Sequence, residues 1–260
     1  MIDRRELLEK TRERSLTLGI MEKDYVLGWL LFGLSEIRGL TFKGGTALSK
    51  VYFPRIWRLS EDLDFVYKED FQDIVRLLPE IFARVERTSG IRLALKAQHL
   101  NPEYLQLKIQ YQAVLGKNWA KIDVTREAPV DRVMNQKISR QFSDYPSCRV
   151  RVESVEEIGA EKIRSLVERK KCRDYYDVWQ LMKLNPNKVR LRKLTTGKFQ
   201  YKGMEFKGLR EIFPDDIFEV LEGYWEKELG RLIYPVPELE GVIQDLKSSL
   251  RFLPTGKNQN

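Results

Sequence analysis

Apolar and polar positions divide this chain into a stretch that alternates and a stretch that repeats at helical intervals. Residues 3 to 36 predict two helices, the second apolar through Val26, Leu27, Trp29, Leu30, Leu31 and Leu34. Leu40, Thr41 and Phe42 form a short β-prone stretch, and Ala47 to Val51 favours helix. Tyr104-Leu105-Gln106-Leu107-Lys108-Ile109-Gln110 alternates residue by residue, the period of a half-buried strand. Residues 40 to 126 are therefore expected to carry a mixed sheet, interrupted by a helix near Phe71 to Val85. From Ser154 onward helical spacing takes over. Ser154-x-x-Glu157 is a capping box, opening a helix whose apolar positions are Val155, Ile158, Leu166 and Val167. Arg169-Lys170-Lys171-Cys172 breaks that pattern before a helix from Arg173, and Pro235-Val236-Pro237 parts the last helices. Trp179, Leu221, Trp225, Leu229 and Leu246 are expected core residues, and Gly256 to Asn260 a frayed tail. The predicted class is α+β, with a sheet-bearing lobe over 1–150 and a mostly helical lobe over 151–260. No repeat or long linker separates them, so the two are expected to pack with a ligand cleft between.

Two short motifs carry the chemistry. Gly44 and Gly45 fall on the predicted strand-to-helix turn, followed by Thr46. Residues without Cβ allow positive φ and close approach of backbone N–H groups to a polyphosphate, and a helix N-terminus favours anions. By itself Lys43-Gly44-Gly45-Thr46 reads equally as a tight turn capped by Thr46. It fits neither a Walker loop nor a Gly-x-Gly-x-x-Gly fingerprint. The block Arg58-Leu59-Ser60-Glu61-Asp62-Leu63-Asp64-Phe65 changes that balance. In a strand, Asp62 and Asp64 point to one face and Leu63 to the other. Two neighbouring carboxylates repel and lose hydration, and magnesium relieves both. A third acid is expected on a neighbouring strand, with Asp123 in Lys121-Ile122-Asp123-Val124-Thr125 the best candidate. Three such acids can hold two metals, one activating a hydroxyl and one steadying a leaving pyrophosphate. Asp123, the candidate general base, also reads as a strand-end acid paired with Lys121 or Arg126.

Gly44-Gly45-Thr46, Arg58-x-Ser60-Glu61-Asp62-x-Asp64, Glu161-Lys162 and Arg173-Asp174-Tyr175-Tyr176-Asp177, in that order, resemble the AbiEii/AbiGii-type nucleotidyltransferase toxins, including the MenT group. Glu22-Lys23-Asp24-Tyr25-Val26-Leu27 adds to the resemblance, which spans roughly residues 20 to 185. It implies a DNA-polymerase-β-like nucleotidyltransferase core. It further implies magnesium on Asp62, Asp64 and Asp123, and triphosphate contacts from Gly45 and Thr46, with Lys43, Gly44 and Ser60 beside them in the same motifs. Lys162 falls at an essential lysine of the family and Asp174 at an essential aspartate. Physically, Lys162 lies off the apolar stripe of its helix, free to reach a phosphate, and Asp174 and Asp177 share one side of the next helix. Asp177 reads equally as structural.

The formal net charge of +8 over 260 residues favours a polyanionic partner. From Lys183 to Arg210 there are nine Lys or Arg residues against one acid, Glu205, interleaved with Phe199, Tyr201 and Phe206. Basic groups track phosphates and aromatics stack bases. Arg190, Arg192, Lys193, Lys198 and Tyr201 are therefore candidate RNA contacts, a solvated basic hairpin being the alternative. A single histidine, His99, leaves His-based metal sites and Ser-His-Asp catalysis without parts. Cys148 and Cys172 are too few and too far apart for a zinc ribbon or disulfide scaffold. The charged start of the chain and the lack of a long apolar run point to a cytoplasmic protein with reduced thiols. The expected activity is magnesium-dependent transfer of NMP from an NTP to an acceptor hydroxyl. The 3′ end of RNA, tRNA above all, is the favoured acceptor, and a cognate antitoxin is the implied partner. The alternatives are protein nucleotidylation and a non-catalytic nucleotide- or RNA-binding module.

Overall fold

The computed structural model describes residues 1–127 and 131–254; the tail expected at Gly256 to Asn260 lies outside them. The chain divides into two units, Met1–Glu153 and a second beginning at Ser154. Residue 150, the expected boundary, falls inside the last strand of the first.

In the first unit α1 (Arg4–Arg14), capped by the Asp3 side chain on the Glu6 amide, precedes α2 (Leu18–Leu34). Next come β1 (Thr41–Lys43), α3 (Gly44–Ala47), a π-helical turn Leu48–Tyr52, β2 (Asp62–Val66) and α4 (Phe71–Ser89). A three-stranded meander follows: β3 (Arg92–Asn101), β4 (Tyr104–Ala113) and β5 (Gly116–Thr125). β6 (Val133–Lys137) and β7 (Arg149–Glu153) complete the unit. The sheet runs β3-β4-β5-β2-β1-β7-β6. It is mixed, because β2 pairs parallel to β5 and β1 parallel to β7, while the other neighbours run antiparallel. It extends beyond residue 126 because Val150 and Val152 alternate inward on β7, a pattern too short to stand out along the chain.

Alternation sorts the two faces. Leu63 and Phe65 of β2, Leu105, Leu107 and Ile109 of β4, and Ile122 and Val124 of β5 are buried. α2 packs on these three strands and on α4. α4 presents Phe71, Ile74, Leu78, Ile81 and Val85, one stripe at helical spacing. Each such side chain contributes about 1.5–3 kcal/mol by leaving water. With the apolar face closed in this way, the polar residues of β2, β4 and β5 are left together on the other.

The second unit is helical among its described residues: α5 (Val155–Glu168), α6 (Cys172–Lys183), α7 (Lys188–Tyr201), α8 (Leu209–Ile212), α9 (Ile217–Leu229) and α10 (Leu239–Ser249). Ser154 caps α5, its hydroxyl accepting from the Glu157 amide. Leu221, Trp225, Leu229 and Leu246 belong to the core with Ile163, Leu166 and Tyr175, and Trp179 packs on its margin. The basic stretch is therefore mostly a helix, α7, started by the Asn187 side chain on the Arg190 amide, and not a hairpin.

Candidate active site

Strand register assembles the acids. Asp64 of β2 stands opposite Asp123 of parallel β5 and opposite Lys43 of antiparallel β1. Asp123 stands opposite Gln106 of β4. Cross-ladder partners share a face, so Lys43, Asp64, Asp123 and Gln106 form one polar row. Asp62, Lys121 and Lys108 form the next. All three acids expected to act together lie on this face, at half-buried positions.

The glycine turn sits against the first row. Gly44 has φ of 76°, and a Cβ there would stand 2.5 Å from Asp64 Oδ2. Only glycine lets the backbone follow this path. Gly45, by contrast, is not in the left-handed region. The Thr46 side chain is fully buried, and its hydroxyl donates to the Asp62 carbonyl. That departs from the expected phosphate contact: Thr46 fastens the turn to the start of β2. Lys43 is buried, with Glu127 at 4.0 Å. Ser60 is half-buried just before β2.

Lys121 supplies the cation among the acids. Its Nζ lies 2.7 Å from Asp123 Oδ2 and 3.6 Å from Asp62 Oδ2. Burial alone would lower the pKa of this ammonium, but its bond to Asp123 and the charge of Asp62 outweigh that and raise it. Asp62 is itself raised, by burial first, against the opposing pull of Lys121 and Lys23. Asp123 Oδ1 accepts from the Tyr104 hydroxyl and from Gln106 Nε2, the latter at 3.1 Å. Tyr104 is consequently shifted upward, by burial and by that bond. The pairing of Asp123 with Lys121 is thus present, while its other oxygen is held by Tyr104 and Gln106. Strict alternation in the β4 segment already placed Tyr104 and Gln106 on one side; what it could not say was which strand they would face.

Carboxylates are the hard oxygen donors that magnesium takes, usually one or two at a time, with water and substrate phosphates completing the shell. Among the described residues no group of three Asp, Glu, His or Cys side chains converges on a closed metal cage. The open face, with an ammonium already between two of its acids, fits the shared kind of site.

Lys162, Asp174 and Asp177 come together in the second unit. Lys162 Nζ lies 3.0 Å from Asp174 Oδ1 and 2.9 Å from Asp177 Oδ2, and Arg169 adds bonds of 2.7 and 2.9 Å to Asp174. Lys162 is therefore buried and engaged, contrary to the expectation of a free side chain off the stripe. Burial would raise the Asp174 carboxyl, but Lys162 and Arg169 hold it well below the usual range.

The basic stretch needs correction. Lys198 is fully buried, 2.7 Å from Glu157 and 3.0 Å from Glu161, so it is no RNA contact. Phe199 is buried, its ring 5.0 Å from Phe206, which packs on the core. These two rings are core, and cannot stack bases. Arg192, Lys193 and Tyr201 are exposed and Arg190 partly so.

The fold is shared with solved structures. The chain matches MenT4, a nucleotidyltransferase toxin from Mycobacterium tuberculosis H37Rv, with a TM-score of 0.76 at 17% identity, covering 97% of this chain and 89% of that one. It matches JHP933 from Helicobacter pylori with a TM-score of 0.57 at 18% identity, over 91% of this chain and 92% of that one. No curated protein matches in sequence. A model of the nucleotidyl transferase AbiEii toxin of type IV toxin–antitoxin systems matches residues 29–250. That span takes in the glycine turn, the acid row and the Lys162 cluster alike, and the chain belongs to the AbiEii nucleotidyltransferase toxin family.

Proposed function

We propose that this nucleotidyltransferase moves an NMP from an NTP to an acceptor hydroxyl, releasing pyrophosphate, with magnesium held by Asp62, Asp64 and Asp123. The acceptor we favour is the 3′ end of RNA, tRNA first. The observation that carries this reading is the row of Asp64 and Asp123 on parallel strands, with Asp62 beside them and Gly44 pressed against Asp64. In the reaction the acceptor hydroxyl gives its proton to Asp123, the candidate base, its oxygen attacks the α-phosphorus, and the bond to the bridging oxygen of the β-phosphate breaks to release pyrophosphate. Bound magnesium supplies an acidified hydroxyl and charge relief for the pyrophosphate. The chain's own residues do the remainder. Gly44 and Gly45 offer backbone donors, and Lys43 and Ser60 stand beside them for the phosphates. Tyr104 and Gln106 orient Asp123, while Lys121 balances the acids until substrate arrives. Lys162 and Asp174 are proposed as functional through the ion cluster they share with Asp177 and Arg169.

Family membership implies an NTP substrate and a cognate antitoxin; exposed Arg192, Lys193 and Tyr201, with Arg190, support an RNA partner. No helix among the described residues is long and apolar enough to cross a membrane. Burial pushes the Cys148 and Cys172 thiols up to about 11 and about 12, which suits inert thiols in a reducing cytoplasm.

The test is incubation with magnesium, total tRNA and each α-labelled NTP in turn, against Asp64→Ala. Label on RNA from wild type, lost in the variant, is the expected result. Label on protein would transfer the reaction to a side-chain acceptor, and no label with no magnesium-dependent NTP binding would leave a non-catalytic module.

A further inference from the structure

The polar sheet face does not stop at the acids. Along β5, residues 117, 119, 121 and 123 share one side, so the face runs from Asp123 past Lys121 to Trp119 and Lys117. Register continues it across β4, where Lys108 stands opposite Lys121 and Gln110 opposite Trp119. Trp119 is 44% exposed, a large ring on open strand surface. Two ammonium groups lie over it: Lys108 Nζ at 4.6 Å and Lys23 Nζ at 4.9 Å from the ring centroid. Lys23 also pairs with Glu61 at 3.5 Å. Lys108 and Lys117 are exposed.

We propose that this face is the track for the single-stranded 3′ end of an acceptor RNA, with Trp119 stacking one base and Lys108 and Lys117 meeting phosphates. The inference rests on the RNA-acceptor reading above and names where that RNA lies. A flat aromatic flanked by lysines on an open sheet is how single strands are held: rings take the bases and cations the backbone. The strand order supports the acceptor over the donor as occupant. Sheet order places β2, with its acids, between β1 and β5. The glycine turn for the triphosphate follows β1, and Trp119 lies on β5, on the opposite flank. From Asp123, four residues of strand put Trp119 roughly 13 Å away, a distance suited to a base upstream of the reacting 3′ hydroxyl.

The test is binding, which needs no turnover. Full-length protein carrying Asp64→Ala is titrated with a fluorescein-labelled single-stranded RNA of about 12 nucleotides, within the usual span of such sites, over a series of salt concentrations. Trp119→Ala is expected to weaken binding about tenfold, within the range for one lost stack, and Trp119→Phe to restore most of it. Lys108→Gln with Lys117→Gln should lower the salt slope by about 1.4, two phosphate contacts' worth for a single strand. ATP binding with magnesium, followed by calorimetry in protein with Asp64 intact, should be the same in Trp119→Ala as in wild type. RNA binding that ignores substitution at Trp119, Lys108 and Lys117 overturns this inference alone and leaves the RNA reading standing. Weakened ATP binding with unchanged RNA binding also overturns it, by assigning Trp119 to the donor base. No RNA binding by the parent overturns the RNA reading and this track with it.

Discussion

The chain builds two carboxylate–ammonium clusters from the same residue types, and burial separates them. On the sheet, Asp62, Asp123 and Lys121 keep side-chain exposures of 27%, 15% and 32%. Between α5 and α6, Asp174 and Asp177 are at 0% and Lys162 at 10%. Asp62 is raised and Asp174 lowered, although burial pushes both upward. The difference lies in partners. Asp174 has Lys162 and a two-bond contact with Arg169, while Asp62 has Lys121 at a longer reach and other acids nearby. The sheet cluster keeps part of its carboxylate surface in water, which is what the proposed magnesium and phosphates would need. The drier one ties α5 to α6 through its ion pairs, and Lys162 and Asp174 are proposed to act from within it.

The largest expected effect falls on the sheet cluster and leaves the fold alone. Asp64→Ala should cut NMP transfer by about a thousandfold, the scale of several kcal/mol of lost charge stabilisation. Its melting temperature should stay near wild type, since one of two repelling acids is gone; a collapse would make Asp64 structural and erase the contrast. Asp174→Asn should do the reverse in kind, destabilising the protein by about 3–5 kcal/mol in denaturant unfolding, because Lys162 and Arg169 lose a buried counter-charge. Lys198→Met should cost about as much, by stranding Glu157 and Glu161, while leaving the salt dependence of RNA binding unchanged. Gly44→Ala comes next, at about 1–2 kcal/mol for an L-residue in the left-handed region, with transfer falling as its Cβ meets Asp64.

Acid titration is the gentlest probe of the comparison. A carboxyl depressed by folding stabilises above its unfolded value of about 4 and loses that contribution as pH falls through its folded value. Asp174 should therefore make stability drop on acidification below about pH 4, and Asp174→Asn should flatten that drop. Asp62 has the opposite sign: its folded state holds the proton more tightly, so ionisation works against folding as pH rises through its folded value. Stability at neutral pH should be unchanged or slightly higher in Asp62→Asn. A fall there would mean that Lys121 needs that charge more than Asp62 suffers from its burial.

Some corrections trace to readable patterns. Leu191, Leu194, Thr195, Lys198 and Phe199 are the buried positions of α7, at i, i+3, i+4, i+7 and i+8. Taken as a helix, that stretch puts Lys198 on the inward stripe by its spacing alone. Its charge invited a surface role that its position denied. Thr46 had no such signal, because it lies in α3 and its acceptor, the Asp62 carbonyl, belongs to β2.

What the sequence determined by itself is set by local geometry. A side-chain period of two put Asp62 and Asp64 on one face, a serine at the right place opened α5, and helical spacing chose the core of the second unit. Tertiary structure decided which strands became neighbours. Parallel pairing of β2 with β5 brought Asp123 opposite Asp64, set Lys121 between the acids and stretched the polar face to Trp119. Such pairings join residues some sixty positions apart, and alternation looks the same whichever strand lies alongside. Facing is therefore written along the chain, but partnership is settled only when the sheet closes.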